Sequence, residues 1–61
     1  MAWIIRRNKN MLFASTTSAQ AIKQFILFTK DEPKSLISDA ILAHTKGKNS
    51  VRVNDYSLKW E

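Results

Sequence analysis

Two short apolar stretches, Trp3-Ile4-Ile5-Arg6-Arg7 and Met11-Leu12-Phe13-Ala14-Ser15, lie near the start of the chain. Both are rich in aromatic and β-branched residues, which fit a pleated, half-buried surface. Asn8-Lys9-Asn10 lies between them, and Asn tolerates the positive φ that tight hairpin turns require. A three-residue loop pairs Ile5 with Phe13 and Arg7 with Met11. That register puts Trp3, Ile5, Met11 and Phe13 on one face and Ile4, Leu12, Ala14 and Arg6 on the other.

The period then changes to that of a helix. Thr17-Ser18-Ala19-Gln20 has the spacing of a capping box, and Ala21, Ile22, Phe25, Ile26 and Phe28 follow on one face. A first helix is expected from about Ser18 to Thr29. Asp31-Glu32-Pro33 interrupts it, with Asp31 as a cap and Pro33 in a first helical turn, where its missing N–H has no intrahelical partner. Leu36, Ile37, Ala40, Ile41 and His44 mark the inner face of a second helix. Lys46 and Gly47 close it, the cation at the negative end and the glycine free to turn left-handed.

The remainder has no helical period. Val51 and Val53 share one phase, and Tyr56, Leu58 and Trp60 take the opposite one, with Asn54-Asp55 at the break. A single bulged strand or a tight hairpin with an Asn-Asp turn explains that phase change. The reading is one compact α+β domain over residues 1–61, ordered ββααβ or ββααββ, with an N-terminal β-hairpin, two helices and a C-terminal strand or hairpin.

Length and composition limit what such a domain does. A chain of 61 residues buries only roughly 60% of the surface its unfolded form exposes, so its core is thin. It has no cysteine and one glycine, which rules out disulfides, thiolate chemistry and a glycine-rich phosphate loop. His44 is the only histidine, so no metal-ligand set is available and none is expected. Ser35, Ser38, Asp39 and His44 share one short helix, whereas a catalytic triad needs groups converging from different directions. Neither an enzyme nor a cofactor is expected.

No apolar run approaches the ~20 residues that span a bilayer. Arg6-Arg7 followed by Met11–Ala14 imitates a secretory signal, but four apolar residues fall short of the usual ~7–15. A cytoplasmic protein without a membrane partner is expected.

The net charge of +5 is the feature that most directly suggests a partner. Arg6, Arg7 and Lys9 cluster at the end of the first hairpin, and Lys46, Lys48 and Arg52 after the second helix. Joined in one sheet, they form a basic strip for DNA or RNA phosphates, the first functional expectation. Two short helices beside a hairpin are also the parts of a winged helix-turn-helix. The alternative is an inhibitor or adaptor docking on a larger protein, of the kind short phage and mobile-element chains provide. Leu27 and Leu42 fall off the main helical faces, and Trp60 is the aromatic residue expected to reach a partner. A second copy of the chain is another candidate to cover them.

Overall fold

The computed structural model describes residues 1–61 in the order ββααββ. Strands β1 (Trp3–Arg7) and β2 (Asn10–Ser15) form the first hairpin. Helices α1 (Ser18–Phe28) and α2 (Lys34–Thr45) follow. Strands β3 (Ser50–Val53) and β4 (Tyr56–Trp60) form the second hairpin, which resolves the two readings of the tail. The four strands make one antiparallel sheet in the order β2-β1-β4-β3, so the first and last strands are its centre. Ala2 and Glu61 exchange backbone hydrogen bonds at 2.7 and 2.9 Å and continue that central ladder.

Both hairpins turn on two residues, and in each the asparagine takes up the left-handed backbone: φ is 56° at Asn8 and 52° at Asn54. Asn tolerates this region better than most residues. The turns lie side by side, where the Asn8 N–H donates to the Asp55 carbonyl at 2.8 Å. The first loop is therefore shorter than its sequence suggests. Ile5 pairs with Phe13 as expected, but Arg6 faces Met11 and Arg7 faces Asn10, leaving Leu12 as the extra residue of a bulge. The bulge moves Met11 off the face it was expected to share with Ile5 and sets it opposite Arg6.

One face of the sheet carries the core. Ile5 and Leu58 from the central strands and Val51 and Val53 from β3 meet Ala21 and Phe25 of α1 and Ala40 of α2. All seven are buried. The two helix alanines let the helices approach the sheet closely, and Phe25 is the largest fully buried side chain. Each fully buried aliphatic or aromatic side chain contributes about 1.5–3 kcal/mol relative to exposure. Thr29 is the one buried polar residue; its hydroxyl donates to the Phe25 carbonyl at 2.8 Å, so its burial leaves no unmet donor.

Three local expectations change. Thr17 is the N-cap of α1, but no side chain caps the helix. Ser15 Oγ accepts the Thr17 N–H at 3.1 Å and lies 3.2 Å from the Thr17 hydroxyl, so a local serine turn replaces the capping box. Asp31 does not cap α2, whose N-cap is Pro33. A residue preceding proline is pushed out of the helical region, so Glu32 stays in the linker and the helix begins one residue after the proline. Ile26 and Leu36, both expected on the inner faces of their helices, are 38% and 37% exposed.

The end of α2 follows the pattern expected of its sequence. Gly47 has φ +98°, the Lys48 N–H reaches back to the Ala43 carbonyl at 3.1 Å, and the Gly47 N–H bonds the His44 carbonyl at 3.0 Å. These two bonds make a complete Schellman motif.

Candidate functional site

The helices cover one face of the sheet, and nothing covers the other. Cross-strand register defines the open face row by row. One row runs Met11–Arg6–Ser57–Arg52 across all four strands, and the next runs Ala14–Ile4–Lys59–Ser50. With strands about 4.8 Å apart, Arg6 and Arg52 stand roughly 10 Å from one another across Ser57.

The open face has two halves of different character. On β2 and β1, Met11 (63% exposed), Leu12 (39% exposed), Ala14 and Ile4 form an apolar strip. On β4 and β3, Lys59 and Arg52 are exposed beside Ser50 and Ser57. The four strands hold Arg6, Arg7, Arg52 and Lys59 and no acidic residue.

The one carboxylate that reaches this face is Glu61. Its two oxygens accept hydrogen bonds from the two terminal nitrogens of Arg6, one at 3.0 Å and the other a close ion pair. Hydrogen bonding to Arg6 holds the Glu61 carboxyl below its ordinary range; desolvation opposes it in part, and the charges of Arg6 and Lys59 add lesser contributions in the lowering direction. The same hydrogen bond raises Arg6 further above its already high value.

The residues expected to form a basic strip are spread over four places. Arg6 and Arg52 meet in one row of the open face. Arg7 belongs to the covered side, its guanidinium 5.6 Å from the centre of the Tyr56 ring. Lys9 sits in the β1–β2 turn, while Lys46 and Lys48 follow α2 at the opposite end of the sheet, before β3 begins. Lys59, which the sequence reading left out, completes the basic part of the open face. Its phase against Tyr56, Leu58 and Trp60 was the available signal.

The aromatic residues are also placed away from the open face. Trp3 and Trp60 pair across the central strands with ring centroids 5.3 Å apart, and Trp3 meets the edge of the His44 ring at 4.7 Å. Phe13 stands opposite Ile5, and Tyr56 opposite Val53. Trp60 is thus half-buried against Trp3 rather than projecting to a partner. Leu27 and Leu42 are each 54% exposed, as their helical phase indicates.

One contact joins groups of the kind used in nucleophilic catalysis: Ser18 Oγ lies 2.6 Å from His44 Nε2. Activating the serine requires Nε2 to accept, which puts the ring proton on Nδ1. His44 Nδ1 is buried and has no hydrogen-bond partner, so no group fixes that tautomer. No cleft or cavity opens beside the pair. The contact ties the start of α1 to the end of α2, and His44 packs as a helix-end ring.

No group of three or more His, Cys, Asp or Glu side chains is placed to hold a metal ion. No helix is long and apolar enough to cross a membrane. No protein-family model, curated protein or solved structure matches this chain. The functional reading therefore rests on the chemistry of the chain's own surface.

Proposed function

We propose that this protein is a non-enzymatic, cytoplasmic docking module, an inhibitor or adaptor that binds a larger protein through its uncovered sheet face and the adjoining β2 edge. The observation that carries this reading is the contiguous strip of Met11, Leu12, Ile4 and Ala14, left exposed or half-exposed by a fold whose core is small. Exposed apolar groups gathered in one patch, unlike scattered single leucines, mark interaction surfaces. β2 is also an edge strand without a single charged residue, so charge does not guard it against a neighbouring backbone.

The nucleic-acid reading has less support. Of the three cations on the open face, Arg6 is engaged by Glu61, which leaves Arg52 and Lys59 for phosphates. Two phosphate contacts give a salt slope of only about −2 on duplex DNA, far short of the six to ten contacts that sustain strong electrostatic binding. Single-strand binding adds base stacking on aromatic rings, and every aromatic strand residue lies on the helix side of the sheet.

A photo-crosslinking amino acid placed at Met11, and separately at Lys23 on the outer side of α1, tests the proposal in cells. The expected result is a discrete heteromeric adduct from position 11, lost when Leu12→Asp is added and absent from position 23. Adducts of dimer mass alone overturn it. So does steeply salt-dependent binding to DNA or RNA by fluorescence anisotropy without any position-11 adduct.

A further inference from the structure

We propose that the open sheet face is built to receive an acidic amphipathic helix, and that Glu61 rests on Arg6 in the place of one of that helix's carboxylates. The inference depends on the docking reading above and specifies the partner's chemistry. Its first support is the composition of the face. An apolar strip on β2 and β1 lies beside a cationic strip on β4 and β3, and Glu61 is the only acid that reaches it. An occupant that satisfies both strips is apolar along one line and negatively charged along a parallel one.

The dimensions select a helix. Four strands span about 14 Å from one edge to the other. A helix with its side chains is about 10–12 Å across, so one helix lies over the face and touches both strips. Apolar residues at i, i+3, i+4 and i+7 meet Met11, Leu12 and Ile4. Asp or Glu on the flank of that stripe meets Lys59 and Arg52. A nucleic-acid backbone supplies the charge but nothing to cover Met11 and Leu12.

Glu61 provides the second support. Its carboxylate forms a two-pronged pair with Arg6 in the middle of the face, the geometry in which arginine recognises carboxylates. The pair is partly solvent-exposed, with side-chain exposures of 32% and 35%, so water and salt screen it and an incoming carboxylate exchanges with it at little cost. The face therefore already holds one carboxylate from its own chain in the manner proposed for its partner.

The probes are three synthetic helical peptides titrated into the isotope-labelled full chain. One has a leucine stripe flanked by glutamates, one has the same stripe flanked by lysines, and one has the glutamates with the stripe changed to serine. The first peptide is expected to shift the amide resonances of Arg6, Met11, Arg52, Ser57 and Lys59. Its binding is expected to be at least about tenfold tighter than that of either control, the scale of complementary against opposed charge at a docking surface. Arg52→Glu with Lys59→Glu removes that preference. Lys23→Glu with Lys30→Glu, the same charge change on α1 and just after it, leaves it in place. Glu61→Gln tightens binding about two- to threefold, the scale of one exposed ion pair.

Equal binding of the glutamate and lysine peptides overturns the inference, as does a set of shifts confined to the helices. If the position-11 crosslink persists in that case, the docking reading stands and only the acidic helix is wrong. If the crosslink is missing as well, both fail. A single-stranded oligonucleotide that binds the same residues tighter than every peptide overturns both in favour of nucleic acid.

Discussion

Replacing Gly47 with alanine isolates a backbone effect, because an added Cβ at this position has nothing within 4 Å to meet. Any cost then comes from holding an L-residue at φ +98° in the Schellman turn that ends α2. The left-handed region costs an L-residue about 1–2 kcal/mol. Alanine also restricts the unfolded chain, which returns about 0.4–1 kcal/mol. The first term is larger, and φ +98° lies beyond the usual left-handed well near +57°, so the net loss is expected to be about 1 kcal/mol. In a domain of this size that lowers Tm by about 4–8 °C. The decisive control is D-alanine, accessible by chemical synthesis of the 61-residue chain. D-alanine adopts positive φ without strain and keeps the unfolded-state benefit, so it is expected to raise Tm. Thermal melts of the three chains check this. An L-alanine chain as stable as the parent, or a D-alanine chain as damaged as the L-form, refutes the reasoning.

Three other perturbations test the core, the helix surface and the Arg6–Glu61 pair. Leu58 is fully buried between Ile5 and Val51 in adjacent strands, so Leu58→Ala is expected to cost about 2–5 kcal/mol in urea unfolding. That is a large part of the roughly 3–9 kcal/mol that about 0.05–0.15 kcal/mol per residue gives a domain of this length. Leu27→Ser, at an exposed helix position, is expected to stay within about 0.5 kcal/mol of the parent. Acid titration reads the Arg6–Glu61 pair. Because the folded Glu61 carboxyl sits below its ordinary range, its contribution is complete above that range and is lost as pH falls through the folded value. Glu61→Gln is expected to flatten that part of the pH–stability curve, and an unchanged acid limb refutes the assignment.

Much of the fold was legible because its elements have strong periods and clear punctuation. The helical face through Ala21 and Phe25, the opposite phases on either side of Asn54, and Gly47 after the last helical turn each bear one straightforward interpretation. The first hairpin was less determinate because Asn8-Lys9-Asn10 supports a two- or a three-residue loop. Both loops keep Ile5 opposite Phe13. They differ by one residue beyond that pair, and the observed bulge at Leu12 sends Met11 to the open face. The basic strip failed to gather for a topological reason. With β1 and β4 central, the second hairpin turns back beside the first, and Lys9 and Lys48 fall at opposite ends of the sheet.

The distribution of aromatic residues explains why the open face has its particular chemistry. A chain this short has one thin core, and Trp3, Phe13, Phe25, Phe28 and Tyr56 all line or adjoin it. With the aromatic residues on the helix side, the other side of β1 and β2 keeps small and flexible apolar groups, among them Met11, whose unbranched thioether adapts to an irregular partner. Leu27 and Leu42 are more exposed than Leu12, and Ile26 beside Leu27 is exposed as well, but these residues are divided between the outer sides of two different helices. Met11 and Leu12 are consecutive and lie beside Ile4 and Ala14, and they share their face with two unpaired cations. Leu12→Ser should therefore leave the melting curve nearly unchanged while abolishing the position-11 crosslink. Leu27→Ser should leave both intact. A Leu12→Ser chain that keeps its crosslink would return the docking surface to the helices, where the phase of Leu27 and Leu42 first suggested it.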